Sequence, residues 1–162
     1  MKKILIVLIL QYIPLMAIGD EIILDEETAR SVMAEISEAS QRLDIEQLRK
    51  YVDSQSRFIW KTSIEGGKDG KEAGGDQWLE LMEFVAPIYA DTGGEFQSQI
   101  RSIHINSELN QATIIEDVTS SSSLLGVTYE EQATETTTLG VRNGSIKVIY
   151  SERITTKVTE IE

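Results

Sequence analysis

Three glutamates and one arginine stand out because strand alternation can bring them side by side. Asn143-Gly144 lies between two alternating runs, and both residue types accept the positive φ of a tight hairpin. A two-residue loop there sets Val141 opposite Ile146, Leu139 opposite Val148, Thr137 opposite Tyr150 and Glu135 opposite Glu152. A turn centred on Leu125-Gly126 sets Ala112 opposite Leu139, Ile114 opposite Thr137, Glu116 opposite Glu135 and Val118 opposite Ala133. A third turn over Ser107–Asn110 sets Ile105 opposite Ala112, Ile103 opposite Ile114 and Arg101 opposite Glu116. The row Arg101–Glu116–Glu135–Glu152 then crosses an otherwise apolar face. Like charges placed directly opposite destabilise a sheet. One guanidinium compensates one carboxylate, and the others need a raised pKa, a shared proton, a metal ion or a cationic ligand. The alternative is a bulge that slips the register, or a row that lies past the core in water.

The elements that must hold this row follow from periodicity. The three turns, read separately, agree on one apolar face: Ile103, Ile105, Ala112, Ile114, Val118, Leu139, Val141, Ile146, Val148, Tyr150 and Ile154. That is the outcome of period-two alternation with one side buried. Before the meander, Ala29, Val32, Met33, Ile36, Ala39 and Leu43 recur at helical spacing behind an Asp25 N-cap. Asp44 opens a second, shorter helix, with Gln47 in capping-box position and Ile45, Leu48, Tyr51 and Val52 on its buried side. Arg57–Ile64 alternates as a strand, and residues 65–75 read as a glycine-rich surface loop without EF-hand or P-loop spacing. Asp76 is expected to cap a third helix whose apolar stripe is Trp78, Leu81, Met82, Val85 and Tyr89, with Pro87 disturbing its last turn. The expected class is α+β: three N-terminal helices on a curved antiparallel sheet whose last four strands form a meander.

Composition narrows the function classes. Lys2-Lys3, an apolar run to Ile18 and Ala17-Ile18-Gly19 follow signal-peptide order, so residues 1–19 are expected to be a leader and 20–162 a single exported domain, periplasmic or secreted. The chain has no Cys, which removes thiol catalysis, cysteine zinc sites and lipoprotein anchoring. Two of the 15 basic residues lie in the leader, so 13 would remain against 27 acidic ones. That balance disfavours nucleic acid and anionic membrane surfaces as partners and favours cationic ligands or plain solubility. No cofactor or metal is expected.

The order of elements resembles the NTF2-like (SnoaL-like, cystatin-like) superfamily over nearly all of the mature chain. Arg42–Leu48 is similar to that family's acidic linker before the second helix, and Lys68–Ala73 to its loop before the third. Ile103–Ile105 with Ala112–Ile114 resembles its paired strands, and Arg142–Lys147 its late hairpin without the tryptophan. The resemblance implies a cone: a bent sheet wrapping three helices around a pocket, often in homodimers. It covers isomerases and dehydratases as well as non-enzymatic binding and assembly modules, so the fold does not choose a function. Isomerase-like members carry a first-strand carboxylate, and Arg57–Ser63 has none; dehydratase-like members use pocket histidines, and His104, the single His, falls on the opposite face. The expected pocket set is therefore Arg101, Glu116, Glu135 and Glu152 with the aromatics Trp60, Tyr89 and Tyr150. The function expected is binding of a small molecule or protein partner, with a glutamate-based enzyme or a structural envelope subunit as alternatives.

Overall fold

A computed structural model describes residues 22–63, 70–92, 95–124 and 127–161. The leader, residues 65–69 of the glycine-rich segment and the Leu125-Gly126 turn lie outside the described residues. The elements run α1 (Glu26–Arg42), α2 (Ile45–Leu48), β1 (Arg57–Thr62), β2 (Lys71–Gly74), α3 (Gly75–Thr92), β3 (Phe96–Asn106), β4 (Gln111–Leu124), β5 (Val127–Arg142) and β6 (Ser145–Ile161). Six strands form one sheet in the order β2-β1-β6-β5-β4-β3. β1 runs antiparallel to β2 and parallel to β6.

Local chemistry sets the helix ends. The Asp25 side chain accepts from the Thr28 N–H at 2.7 Å, and Asp44 does the same for Gln47 at 3.0 Å. The reciprocal half of the second capping box does not form, because the Asp44 N–H donates to Ala39 O at 2.8 Å and the Gln47 side-chain oxygen accepts from Lys50 instead. The third helix begins two residues earlier than expected, at Gly75, so Asp76 is a first-turn acid rather than the cap. Pro87 sits inside α3, which continues to Thr92. Residues 71–74, expected in the loop, form the edge strand β2 through pairing with Arg57–Trp60.

The meander is held where its turns fix it. Asn143 (φ 51) and Gly144 (φ 69) adopt the left-handed conformations of the expected hairpin. β4 and β5 pair as expected from Gln111↔Gly140 to Leu124↔Val127, with Glu116 opposite Glu135. The turn residue Asn110 (φ 47) also straps the lead-in: its side chain accepts from Leu24 N at 2.8 Å and donates to Ile22 O at 2.6 Å.

Three bulges alter the remaining register, one in β3 and two in β6. In β3 the pairing steps from Ile100↔Glu116 to Ser102↔Ile115, so Arg101 is the extra residue. In β6 it steps from Val148↔Leu139 to Tyr150↔Thr138, so Ile149 is extra and residues 150–155 change face. A second step, from Thr155↔Ala133 to Lys157↔Gln132, leaves Thr156 extra and restores the expected face. The bulge at Ile149 has a visible anchor. The Val148 N–H donates to Tyr51 O at 2.8 Å, and its carbonyl accepts from the buried Ser56 hydroxyl at 2.6 Å. The strand is thus pinned by the α2–β1 connection just before β1 pairs with it.

The core lies between the helices and the sheet's concave face. Leu24, Leu48, Leu79, Ile114 and Leu139 are among its fully buried side chains. Ile100 joins this face, while Tyr150 and Ile154, expected there, leave it for the outer one.

Candidate functional site

The concave face does not close on itself. A cavity of about 740 Å³ opens between α1, α3 and the strands β1, β3, β4, β5 and β6. Its apolar wall combines Met33 and Ile36 of α1, Trp60 of β1, and Trp78, Met82 and Val85 of α3. Phe58 stacks on Trp78 with ring centroids 4.4 Å apart and planes 9° from parallel, which fixes one side of that wall. The opposite wall is polar and comes from the inward positions of the meander: Ser98, Glu116, Ser120, Glu131, Glu135, Ser151, Arg153 and Thr155.

Glu116 is the most buried charged group among the described residues, 6% exposed. Burial first, and then the negative charge of Glu135 beside it, pushes its pKa up to about 7, against a smaller lowering by the Ser98 hydroxyl. Ser98 in turn lies 3.3 Å from Ser37 of α1, so the contact also ties helix to sheet. Glu135 accepts from the Ser151 hydroxyl at 2.8 Å. Arg153 donates to Glu131 at 3.2 Å and to Ser120 at 3.1 Å, and its guanidinium lies 6.0 Å from the Phe96 ring centroid. Its approach to Glu135, at 3.9 Å, is an ion-pair distance without a hydrogen bond. Thr155 donates to the same Glu131 oxygen at 2.7 Å.

The expected row is therefore brought together only in part. Glu116 and Glu135 are cross-strand neighbours, and they and Trp60 line the cavity. Arg101 is not there: the β3 bulge turns it outward, where it pairs with Asp117 at exposed positions. Glu152 is not there either. The first β6 bulge sets it opposite Thr136 on the outer face, where it pairs with Lys61. Tyr150 faces out as well, opposite Thr138; burial, then Glu152, raises its pKa. Tyr89 lies on the last turns of α3, and its side chain is outside the described residues. His104 pairs with Thr113 on the outer face and is exposed, as expected.

The β6 departure relieves strain, whereas the β3 bulge takes the expected guanidinium away from Glu116 and sets Ile100 there. In the unbulged register Glu152 would face Glu135; one extra residue in β6 replaces it with Arg153, opposite in sign. The functional residue missed by sequence reasoning is thus Arg153, along with Glu131, Ser151 and Ser120. The signal was present: three inward acids against one inward arginine is a self-contradictory row, and a one-residue slip of β6 pairs Glu135 with a cation. Among the described residues, no three His, Asp or Glu side chains converge as a metal-holding group.

No protein-family model matches the chain, and no curated protein matches it in sequence. Solved structures do match. A conserved protein from Planctomyces limnophilus DSM 3776 superposes with TM-score 0.62 at 15% identity, over 85% of this chain and 98% of that one. A type 2 hexachlorocyclohexane dehydrochlorinase (LinA) gives TM-score 0.58 at 12% identity, over 83% and 86%. An NTF-2 like protein of unknown function from Shewanella oneidensis MR-1 gives 0.55 at 17%, over 78% and 95%. At these identities the likeness is one of fold.

Proposed function

We propose that this chain, which has the NTF2-like fold, binds a small molecule with an apolar body inside its cone and performs no chemistry on it. The observation that carries this reading is the cavity, about 740 Å³ and walled by two tryptophans, methionines and a short polar strip. Ligand sites commonly span roughly 300–1,000 Å³ with such a mixture. A purely structural subunit would fill that space with side chains. Absence of catalysis is supported by the inward residues of β1, which are Phe58, Trp60 and Thr62 rather than an acid, and by the outward His104. Export through residues 1–19 and assembly as a homodimer belong to the same proposal. Mature protein starting at Asp20, and a light-scattering mass twice that of one chain, are the results expected of them.

The test is saturable binding of a neutral fluorescent probe, 1-aminoanthracene, to the full chain. One site per chain is expected, with affinity reduced about tenfold or more by Val85→Trp, which fills the wall. Binding that does not saturate, or is indifferent to that substitution, contradicts the reading.

A second reading is favoured by one observation. A carboxyl with a pKa of about 7 inside a cavity is suited to donate or accept a proton near neutrality. Glu116 would be the acid–base group of a lyase or isomerase, and similarity to a dehydrochlorinase is compatible with that. Turnover of any substrate with a single pH midpoint near 7, lost in Glu116→Gln, would replace the first reading by this one.

A further inference from the structure

The charges around the cavity do not cancel. Among the described residues that line it, the acids are Glu95 before β3, Glu116 on β4, and Glu131 and Glu135 on β5. The cations are Arg42 on α1 and Arg153 on β6, and α3 and β1 contribute none. Arg42 is exposed and paired with Glu38 on its own helix. Arg153 commits its hydrogen bonds to Glu131 and Ser120. Glu135 keeps one oxygen on Ser151, while its other oxygen has Arg153 only at 3.9 Å. Glu116 meets the Ser98 hydroxyl and no cation among the described residues. Two adjacent carboxyls at the base of an apolar pocket thus lack one positive charge, and without a ligand a proton on Glu116 supplies it.

We propose that the cavity takes a small organic amine in its ammonium form, the head between Glu116 and Glu135 and the apolar body against Trp60, Trp78 and Met82, and that Glu116 releases its proton to solvent as the amine enters. This rests on the reading of the cavity as a ligand site. An ammonium hydrogen-bonds both carboxyls at once and replaces the proton as the neutralising charge. An alcohol of the same shape leaves the proton where it is, and a carboxylate adds a third negative charge. Binding of the amine is therefore linked to pH, and binding of the alcohol is not.

Both tryptophans of the chain line the cavity, so intrinsic fluorescence of the full chain reports on occupancy. The probes are 2-naphthylmethylamine, 2-naphthylmethanol and 2-naphthoate. The amine is expected to bind about tenfold or more tighter than the alcohol at about pH 8, with the naphthoate weakest. Between about pH 6 and about pH 8, affinity for the amine should rise about tenfold, since one proton is displaced. Glu135→Gln should erase the preference for amine, and Glu116→Gln should flatten the pH dependence. Equal binding of amine and alcohol by the wild-type chain overturns the amine assignment and leaves the ligand site standing. Failure of every naphthyl probe to bind overturns both. The wild-type comparison decides alone, so a variant that does not fold leaves the test intact.

Discussion

Glu116 is the residue at which the interior is most costly to keep. Its folded pKa of about 7 lies above the ordinary value of 4.5, so between those two pH values the folded chain holds a proton that the unfolded chain has lost. Stability contributed by this group is fully present below about pH 4.5 and falls as pH rises towards 7, the reverse of a salt-bridged carboxylate. Glu116→Gln removes the penalty. Urea denaturation should find the variant more stable than wild type by on the order of 2 kcal/mol at about pH 8, with no difference at about pH 4. A constant offset across pH would count against the burial that raises this group. The two inward and outward arginines make a second contrast. Arg153, 18% exposed, holds Glu131 and stands near Glu135, so Arg153→Met strands both acids and should cost about 2 kcal/mol or more. Arg101→Met breaks only an exposed pair and should cost under about 1 kcal/mol. Equal losses in the two variants would restore the unbulged register.

At the scale of elements, turn chemistry and alternation were readable because they act between neighbours in the chain. Asn143-Gly144 needs its left-handed conformations whatever surrounds it and sets the start of the β5–β6 pairing, and the β4–β5 register follows from the Leu125-Gly126 position and one apolar face. The charge row hinted at a bulge, but the positions of the bulges were not readable. Neither Arg101 nor Ile149 is an unusual strand residue, and the first β6 bulge is pinned by Tyr51 and Ser56, more than ninety residues upstream. β2 escaped for a similar reason: Lys71–Gly74 has poor strand propensity, and pairing with β1, aided by Arg57–Glu72, overrides it. The junction of β2 and α3 also depends on close approach. A Cβ at Gly75 would stand 1.9 Å from the Asp53 carbonyl oxygen, a backbone atom that cannot turn aside. Gly75→Ala should therefore cost more than about 2 kcal/mol in urea denaturation. A neutral outcome would mean that the α2–β1 connection sits farther from the start of α3.

At the scale of the whole molecule, the sheet divides into a half that packs on helices and a half that extends past them. Ala112, Ile114 and Val118 on β4 and Ala133, Thr137 and Leu139 on β5 are buried, whereas β6 is exposed from Thr156 onward. Hydrogen exchange should find the amides of 156–161 opening well before those of 112–118 and 133–139. Uniform protection along β6 would require a covering partner, the homodimer being one candidate. The cone, its helices and the Glu116–Glu135 pair were legible in the sequence; the Arg153 guanidinium on Glu131 beside them was not, because its inward position depends on one extra residue placed by distant contacts. The central claim is that this pair lies inside the cavity between helices and sheet rather than on the water-exposed face. The most direct test is a carbon-13 NMR titration of the Glu116 side-chain carboxyl in the ligand-free chain. A midpoint of about 7 is expected, and a midpoint at the ordinary 4.5 would contradict the account.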